Sequence, residues 1–197
     1  DCCAHTRPMT TQKANSPVVI VLASGRGERF IAAGGTGSKL RALLAGRPVL
    51  ERTLDAVRAS GLPWHVEDAG HPGMGDSIAA AVRATAQAQG WLILPGDLPL
   101  VRRGTLQAVA AALGGAVNAV QPQYQGERGH PVGFAAVCGA QLAMLEGPAG
   151  AASVLRAMRA AGSVADLAVD DVGVVTDIDT PEALARAEAL WLAREGA

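Results

Sequence analysis

Aromatic side chains are scarce in this chain, at 3% of residues, so there is little from which to build a surface that stacks unpaired bases on rings. An excess of charge of one sign is also missing. The 17 basic residues are answered by 18 acidic ones, leaving −1, which argues against nucleic acid as the main partner. Cysteine is limited to Cys2, Cys3 and Cys138, with no metal-ligand spacing beyond the Cys2-Cys3 pair near His5. No disulfide framework is implied, as suits a reducing cytoplasm, the expected location. No unbroken apolar run reaches membrane-spanning length, and residues 1–15 lack the apolar core of a signal peptide. These fifteen residues are expected to be a disordered tail, with residues 16–197 as one domain.

Against these absences stands a hydrophobic content of 49% in 197 residues, enough for an ordinary globular core. Residues 17–23 and 91–95 are continuous apolar runs of the kind that form strands covered on both faces. Helical patterns are predicted over 49–60, stopped by Gly61, and from Asp76 or Ser77 (as cap) to 89. Others span 105–113, 140–146 and 151–161, and a last one opens at Thr180-Pro181. Shorter strands are predicted at 64–67, 116–121, 132–137, 164–169 and 172–176. Strands alternating with helices predict an α/β fold with a mostly parallel sheet, whose ligands bind beyond the carboxyl ends of the strands.

Three such strand ends carry residues suited to phosphate and metal. The first runs Leu22-Ala23-Ser24-Gly25-Arg26-Gly27-Glu28-Arg29-Phe30, with Lys39 beyond. Small residues allow close backbone approach to an anion, and Arg26, Arg29 and Lys39 are cationic donors. Phe30 stands where a dinucleotide fingerprint needs its third glycine, and Ser38-Lys39-Leu40 does not complete a Walker loop. The second end is Gly96-Asp97-Leu98-Pro99, whose carboxylate suits Mg²⁺ or merely caps the turn. The third is Asp177-Ile178-Asp179-Thr180-Pro181. Alternation puts Asp177 and Asp179 on one side, one to cap the following helix and the other for a metal. No nucleophile–His–carboxylate arrangement is evident, and His65, His71 and His130 are scattered, each reading equally well as a surface or loop histidine or as a catalyst. A phosphate monoester attacking a nucleotide needs no general base, so positioning and charge neutralisation suffice.

At these residues the sequence resembles the MobA-like nucleotidyltransferases, and within them the molybdenum cofactor cytidylyltransferase branch. The resemblance runs in order through Leu22–Gly25 with Arg29 and Lys39, Gly46-Arg47-Pro48-Val49-Leu50 and Gly73-Met74-Gly75-Asp76-Ser77-Ile78. It continues through Gly96-Asp97-Leu98-Pro99, Gly129-His130-Pro131-Val132-Gly133-Phe134 and Asp177–Glu182. It implies a three-layer α/β/α, Rossmann-like (GT-A-like) fold and transfer of CMP or GMP from the NTP, CTP favoured, to the terminal phosphate of molybdopterin. It also implies that Leu22, Ala23, Ser24, Gly25, Arg26 and Gly27, with Gly75 and Ser77, bind nucleotide, and that Arg29 and Lys39 hold the triphosphate. Asp97, Asp179 and Asp177 would bind Mg²⁺, with Arg29, Lys39 and Asp97 as the catalytic set. A molybdoenzyme or its maturation chaperone would be the further partner. Alternatives are another phosphorylated acceptor, such as a sugar phosphate, and a non-catalytic cofactor binder of the same fold. Two departures from the family pattern stand out. The stretch from Arg29 to Lys39 is longer than usual, and the segment from Ala59 to His71 is short, which predicts a sheet trimmed at one edge. Ser24 stands where the cytidylyl branch commonly has Ala and the guanylyl branch Gly.

Overall fold

Successive residues of a strand point to opposite faces, and Val18–Leu22 (β1) is apolar on both. The computed structural model of the chain, which describes residues 16–25 and 27–196, shows why. Val18 and Ile20 face one hydrophobic layer and Val19 and Val21 face another, all buried. On the first face Met74–Ala84 (α3), Gly139–Leu142 (α5) and Ala152–Ala160 (α6) supply Ile78, Val82, Leu142 and Val154. On the second, Val49–Ser60 (α2) and Arg103–Ala112 (α4) supply Leu54, Val57, Leu106 and Val109. Helices on both faces of one sheet make the three-layer α/β/α architecture expected from the sequence.

Seven strands form the sheet, in the order β4-β1-β5-β8-β6-β7 with β9 also on β6. They are β1, Trp64–Glu67 (β4), Gly90–Pro95 (β5), Ala119–Tyr124 (β6), Glu127–Arg128 (β7), Val132–Ala135 (β8) and Val164–Ala168 (β9). β4, β1 and β5 are mutually parallel and β9 is parallel to β6. β8 is antiparallel to both β5 and β6, so five of the seven strands run one way and the sheet is mixed but mostly parallel. β4 is the outermost strand on the β1 side, at the short 59–71 segment. A two-stranded hairpin, Leu43–Leu44 (β2) and Arg47–Pro48 (β3), leads into α2.

Several element boundaries differ from the sequence reading. Residues 172–176 are not a strand. Val172–Val175 is a 3₁₀ turn, because the Asp171 side chain accepts the Gly173 N–H and Gly173 lies against the backbone of Leu100. Neither Asp76 nor Ser77 caps α3. That helix begins at Met74, with Gly73 before it and no side-chain cap, Asp76 accepts the Gly147 N–H at 2.9 Å, and Ser77 Oγ donates to Gly73 O. Nor does an aspartate cap Pro181–Glu195 (α7), where Thr180 accepts the Ala183 N–H and Pro181 opens the helix. Residues 136–138 are a 3₁₀ turn in place of a continued strand, and the short helix Glu28–Ala32 (α1) appears inside the glycine-rich stretch. Among the described residues no helix is long and apolar enough to cross a membrane. The expectation for residues 1–15 lies outside the described residues.

A third cluster, with Phe30, Leu44, Val49, Leu100, Ile178 and Ala187, joins α7 to the carboxyl edge of the sheet. Ile178 is fully buried there, between two outward-facing aspartates, and its N–H donates to Asp97 O at 3.1 Å. Truncating it, Ile178→Ala, is expected to cost about 2–5 kcal/mol by leaving a cavity at this edge. Urea denaturation with an unchanged slope checks this, and a loss below about 1 kcal/mol would show that the edge does not depend on Ile178.

Candidate active site

Beyond the carboxyl ends of β1 and β5 lies an open cleft of about 390 Å³. Its floor is made where the two strands end. Gly96 N–H donates to Leu22 O at 2.9 Å, and a Cβ on Gly96 would come within 2.9 Å of that oxygen, so only glycine fits. Thr53 Oγ1 donates to Gly96 O at 2.9 Å, and the Ile178 N–H holds Asp97 O. The peptide carrying Asp97 is therefore fastened to β1, α2 and the 177–179 segment at once.

The long 29–39 stretch ends in the same place. Gly27 takes a left-handed conformation (φ 64°), turning the chain out of β1 and into α1. The chain then wraps Phe30. Gly35 N–H donates to Phe30 O, and a Cβ on Gly35 would fall 2.3 Å from the ring. The loop comes back to Gly27, whose own Cβ would stand 3.5 Å from Lys39 N. Burying Phe30 thus closes the loop, and Lys39 reaches the cleft despite the extra residues.

There the charges meet. Lys39 Nζ lies 2.5 Å from Asp97 Oδ2 and 2.7 Å from Asp179 Oδ1, and Arg29 Nη1 pairs with Asp179 Oδ2. Burial works against the Lys39 charge, yet Asp97 and Asp179 together hold its ammonium above the usual lysine value. Burial likewise opposes ionisation of Asp179, but the Lys39 hydrogen bond and the charges of Lys39 and Arg29 outweigh it and hold this carboxyl below the usual range. Asp177, on the exposed rim beside them, is pushed up by partial desolvation, with the charges of Asp179 and Asp97 adding to the effect.

Of the residues singled out by sequence, Leu22, Ser24, Gly25, Gly27, Arg29, Lys39, Ser77, Asp97 and Asp179 line this cleft. Ser24 and Ser77 present their hydroxyls to each other at 3.2 Å. Ala23 sits just behind, its N–H bonded to Glu67 O. Gly75 is not in the cleft wall. Its N–H is taken by Gly147 O, and a Cβ there would meet Glu146 O at 2.7 Å, so it seats α3 against the 146–147 loop. Arg26 lies outside the described residues.

The three histidines scattered in the sequence, His65, His71 and His130, all fall in or beside this region. His71 lines the cleft, its Nε2 3.2 Å from Oε1 of the buried Glu67 at the end of β4. His65 Nε2 is 3.5 Å from the other Glu67 oxygen, without hydrogen-bond geometry. His130 is largely buried within charge range of Asp97 and Asp177. Burial pushes its imidazole below the usual value, against the pull of those carboxylates, and its Nδ1 has no hydrogen-bond partner among the described residues. Only the Gly129-His130-Pro131 motif signalled it in the sequence, since burial depends on partners distant in the chain.

Could this site hold a divalent cation? Among the described residues no three His, Cys, Asp or Glu side chains surround one point, so Asp97, Asp177 and Asp179 do not form an all-protein cage. Asp97 and Asp179 nevertheless share one cation, Lys39, and Asp97 Oδ1 is buried without a hydrogen-bond partner among the described residues. Two carboxylates, one with an unused oxygen, fit Mg²⁺ or Mn²⁺, which keep few protein ligands and fill their shells with water and substrate phosphate.

Known proteins share this architecture. The chain is similar to the protein Rv0371c of Mycobacterium tuberculosis H37Rv, at 25% identity over 90% of this chain and 98% of that one, with a TM-score of 0.70. A manganese complex of Rv0371c aligns at 22% identity, covering 87% and 97%, with a TM-score of 0.65. A nucleotidyl transferase from Methanothermobacter thermautotrophicus has the same fold, with 20% identity over 91% and 99% of the chains and a TM-score of 0.73. In sequence, 75 residues are 40% identical to 2-C-methyl-D-erythritol 4-phosphate cytidylyltransferase of Frankia casuarinae. That match covers 38% of this chain and spans about a quarter (26%) of that relative's length. The family model for the MobA-like NTP transferase domain matches residues 55–165, more than half of the chain and the part that carries Ser77, Asp97 and His130. The chain therefore belongs to the MobA-like NTP transferase domain family.

Proposed function

We propose that this protein is a Mg²⁺-dependent nucleotidyltransferase that moves CMP from CTP to the terminal phosphate of a molybdopterin-type acceptor and releases pyrophosphate. The observation that carries this reading is the meeting of Lys39, Asp97 and Asp179, from three distant segments, at the mouth of a glycine-bounded cleft. Family membership supports nucleotidyl transfer, and the cytidylyltransferase match supports CTP over GTP.

In this reading the backbone from Leu22 to Gly27 approaches the nucleotide closely, and Ser24 and Ser77 offer hydroxyls at the end of the cleft near His71. Arg29 and Lys39 hold the phosphates and balance the charge gathering on the leaving pyrophosphate. Asp97 and Asp179 would hold the metal ion, which when bound neutralises phosphate charge and polarises the phosphorus centre. An oxygen of the acceptor phosphate attacks the α-phosphorus of CTP. The new P–O bond forms as the bond to the β-phosphate breaks, and pyrophosphate carries away the electron pair. The attacking oxygen is already anionic near neutral pH, so no side chain has to take a proton.

A second reading keeps this chemistry and changes the acceptor. The match to a 2-C-methyl-D-erythritol 4-phosphate cytidylyltransferase favours a small sugar-alcohol phosphate. Pyrophosphate release with Mg²⁺ separates the two, using CTP, GTP, ATP and UTP in turn against molybdopterin, its molybdenum-loaded form and 2-C-methyl-D-erythritol 4-phosphate. Release with CTP and a molybdopterin acceptor is expected, and Asp97→Ala should lower it by at least about a hundredfold while the protein stays folded. Release with GTP alone would overturn the nucleotide assignment. Release with the erythritol phosphate alone would overturn the acceptor. An undiminished Asp97→Ala rate would overturn the site.

The same charges set a pH dependence of stability. The folded-state pKa of Asp179 is depressed, so its contribution is present above the ordinary carboxylate value of about 3.9 and is lost as pH falls through the lower folded value. Lys39, raised in the folded state, contributes below its ordinary value of about 10.4 and loses that contribution only as pH climbs through the higher folded one. Between about pH 4 and pH 2, melting temperature should therefore fall more steeply for the wild type than for Asp179→Asn. Parallel acid limbs in the two proteins would show that Asp179 is not held ionised by the network.

A further inference from the structure

The groups assigned to phosphate and those assigned to metal are bonded to each other. Lys39 spans Asp97 and Asp179 at 2.5 and 2.7 Å, and Arg29 takes the other oxygen of Asp179. The Lys39 side chain is 14% exposed and those of Asp97 and Asp179 are 12% and 22%, so this network is only partly wetted and its charges are weakly screened. A divalent ion shared by these two carboxylates would stand where the ammonium stands. The cations repel each other, and Lys39 cannot keep both bonds while a dication draws on the same carboxylates. Once displaced, the ammonium would lie partly buried without a counter-charge, which is costly unless a new anion meets it. Gly25 and Gly27 bound the cleft beside it, where a triphosphate would lie. Among the described residues no third carboxylate closes around the pair to favour a metal by itself.

We propose that Lys39 is an exchange latch, holding Asp97 and Asp179 against a bare divalent cation and releasing them when a nucleotide triphosphate takes over its ammonium. Metal and nucleotide then bind interdependently: each displaces one half of an internal ion pair, and each supplies the partner that the other half loses. The proposal rests on the nucleotidyl-transfer reading for the identity of the anion. The Lys39 bridge itself is a matter of geometry. Because coupling between two ligands is reciprocal, the factor by which nucleotide tightens metal must equal the factor by which metal tightens nucleotide.

The test is binding, without turnover. Calorimetry and Mn²⁺ electron paramagnetic resonance on the full chain would measure Mn²⁺ affinity alone and with α,β-methylene-CTP. The analogue should tighten Mn²⁺ by about tenfold or more, with the same factor when the titration is reversed. In Lys39→Gln, bare Mn²⁺ should bind about tenfold tighter than to wild type and the enhancement by the analogue should shrink. Lys39→Arg, which keeps the charge, should leave bare Mn²⁺ weak. Equal wild-type Mn²⁺ affinity with and without bound analogue would overturn the latch. So would a folded Lys39→Gln that binds bare Mn²⁺ no better than wild type. Should Lys39→Gln not fold, the wild-type coupling factor decides. Should the wild type bind no analogue under any condition, the nucleotidyl-transfer reading fails, and the bare-Mn²⁺ comparison of wild type with Lys39→Gln still decides the latch.

Discussion

Asp97, from the middle of the chain, and Asp179, from 82 residues further on, meet in one partly buried place, where their repulsion must be answered by a cation, and the chain answers it internally with Lys39. Much of the local architecture serves to deliver these three groups. Asp97 hangs from the end of the central strand β5, its peptide fixed by bonds to Leu22, Thr53 and Ile178. Asp179 follows Ile178, whose side chain anchors the segment in the cluster beneath α7. Lys39 is brought in by a loop folded around Phe30. A buried like-charge pair without its cation would shift its protonation or destabilise the fold, so the site's electrostatics and the protein's stability are one problem.

The apolar layers make that placement rigid. The side chains of β1 alternate between the two apolar layers, which locks its register to both, since a one-residue slip would exchange the two faces. Its carboxyl end and that of β5 are thereby held side by side, with Gly96 admitting the close approach of Leu22 O. A polar cleft over a dry, well-packed sheet is the arrangement in which preorganised charges act most strongly on a phosphoryl group. The 59–71 segment leaves β4 as the outer strand on this side, and Glu67 and His71 stand at its end as polar groups beside Ser24.

What the sequence made legible follows from local physics. The apolar runs at β1 and β5, the glycine stop after α2 (φ 73° at Gly61) and Pro181 opening α7 each reflect a rule acting over a few residues. The Asp97, Asp179 and Lys39 group was also legible, because strand ends of an α/β sheet converge. Features decided by distant partners were hidden. Val172–Val175 has three valines yet forms a 3₁₀ turn, since Asp171 and the Leu100 backbone hold Gly173. Asp76 looked like a helix cap but is spent on Gly147 N–H. Gly75 looked like part of a nucleotide loop but makes room for Glu146, and the surroundings of His71 and His130 appear only once β4, β5 and β8 are assembled.

The most direct test of this account is to locate the metal and the Lys39 ammonium together, by anomalous scattering from Mn²⁺ in crystals grown with α,β-methylene-CTP. The account predicts an anomalous peak bonded to carboxylate oxygens of Asp97 and Asp179 and to nucleotide phosphate, with Lys39 turned from the carboxylates to the phosphates. A nucleotide bound in the cleft with Lys39 still bridging Asp97 and Asp179, and manganese elsewhere, would contradict it.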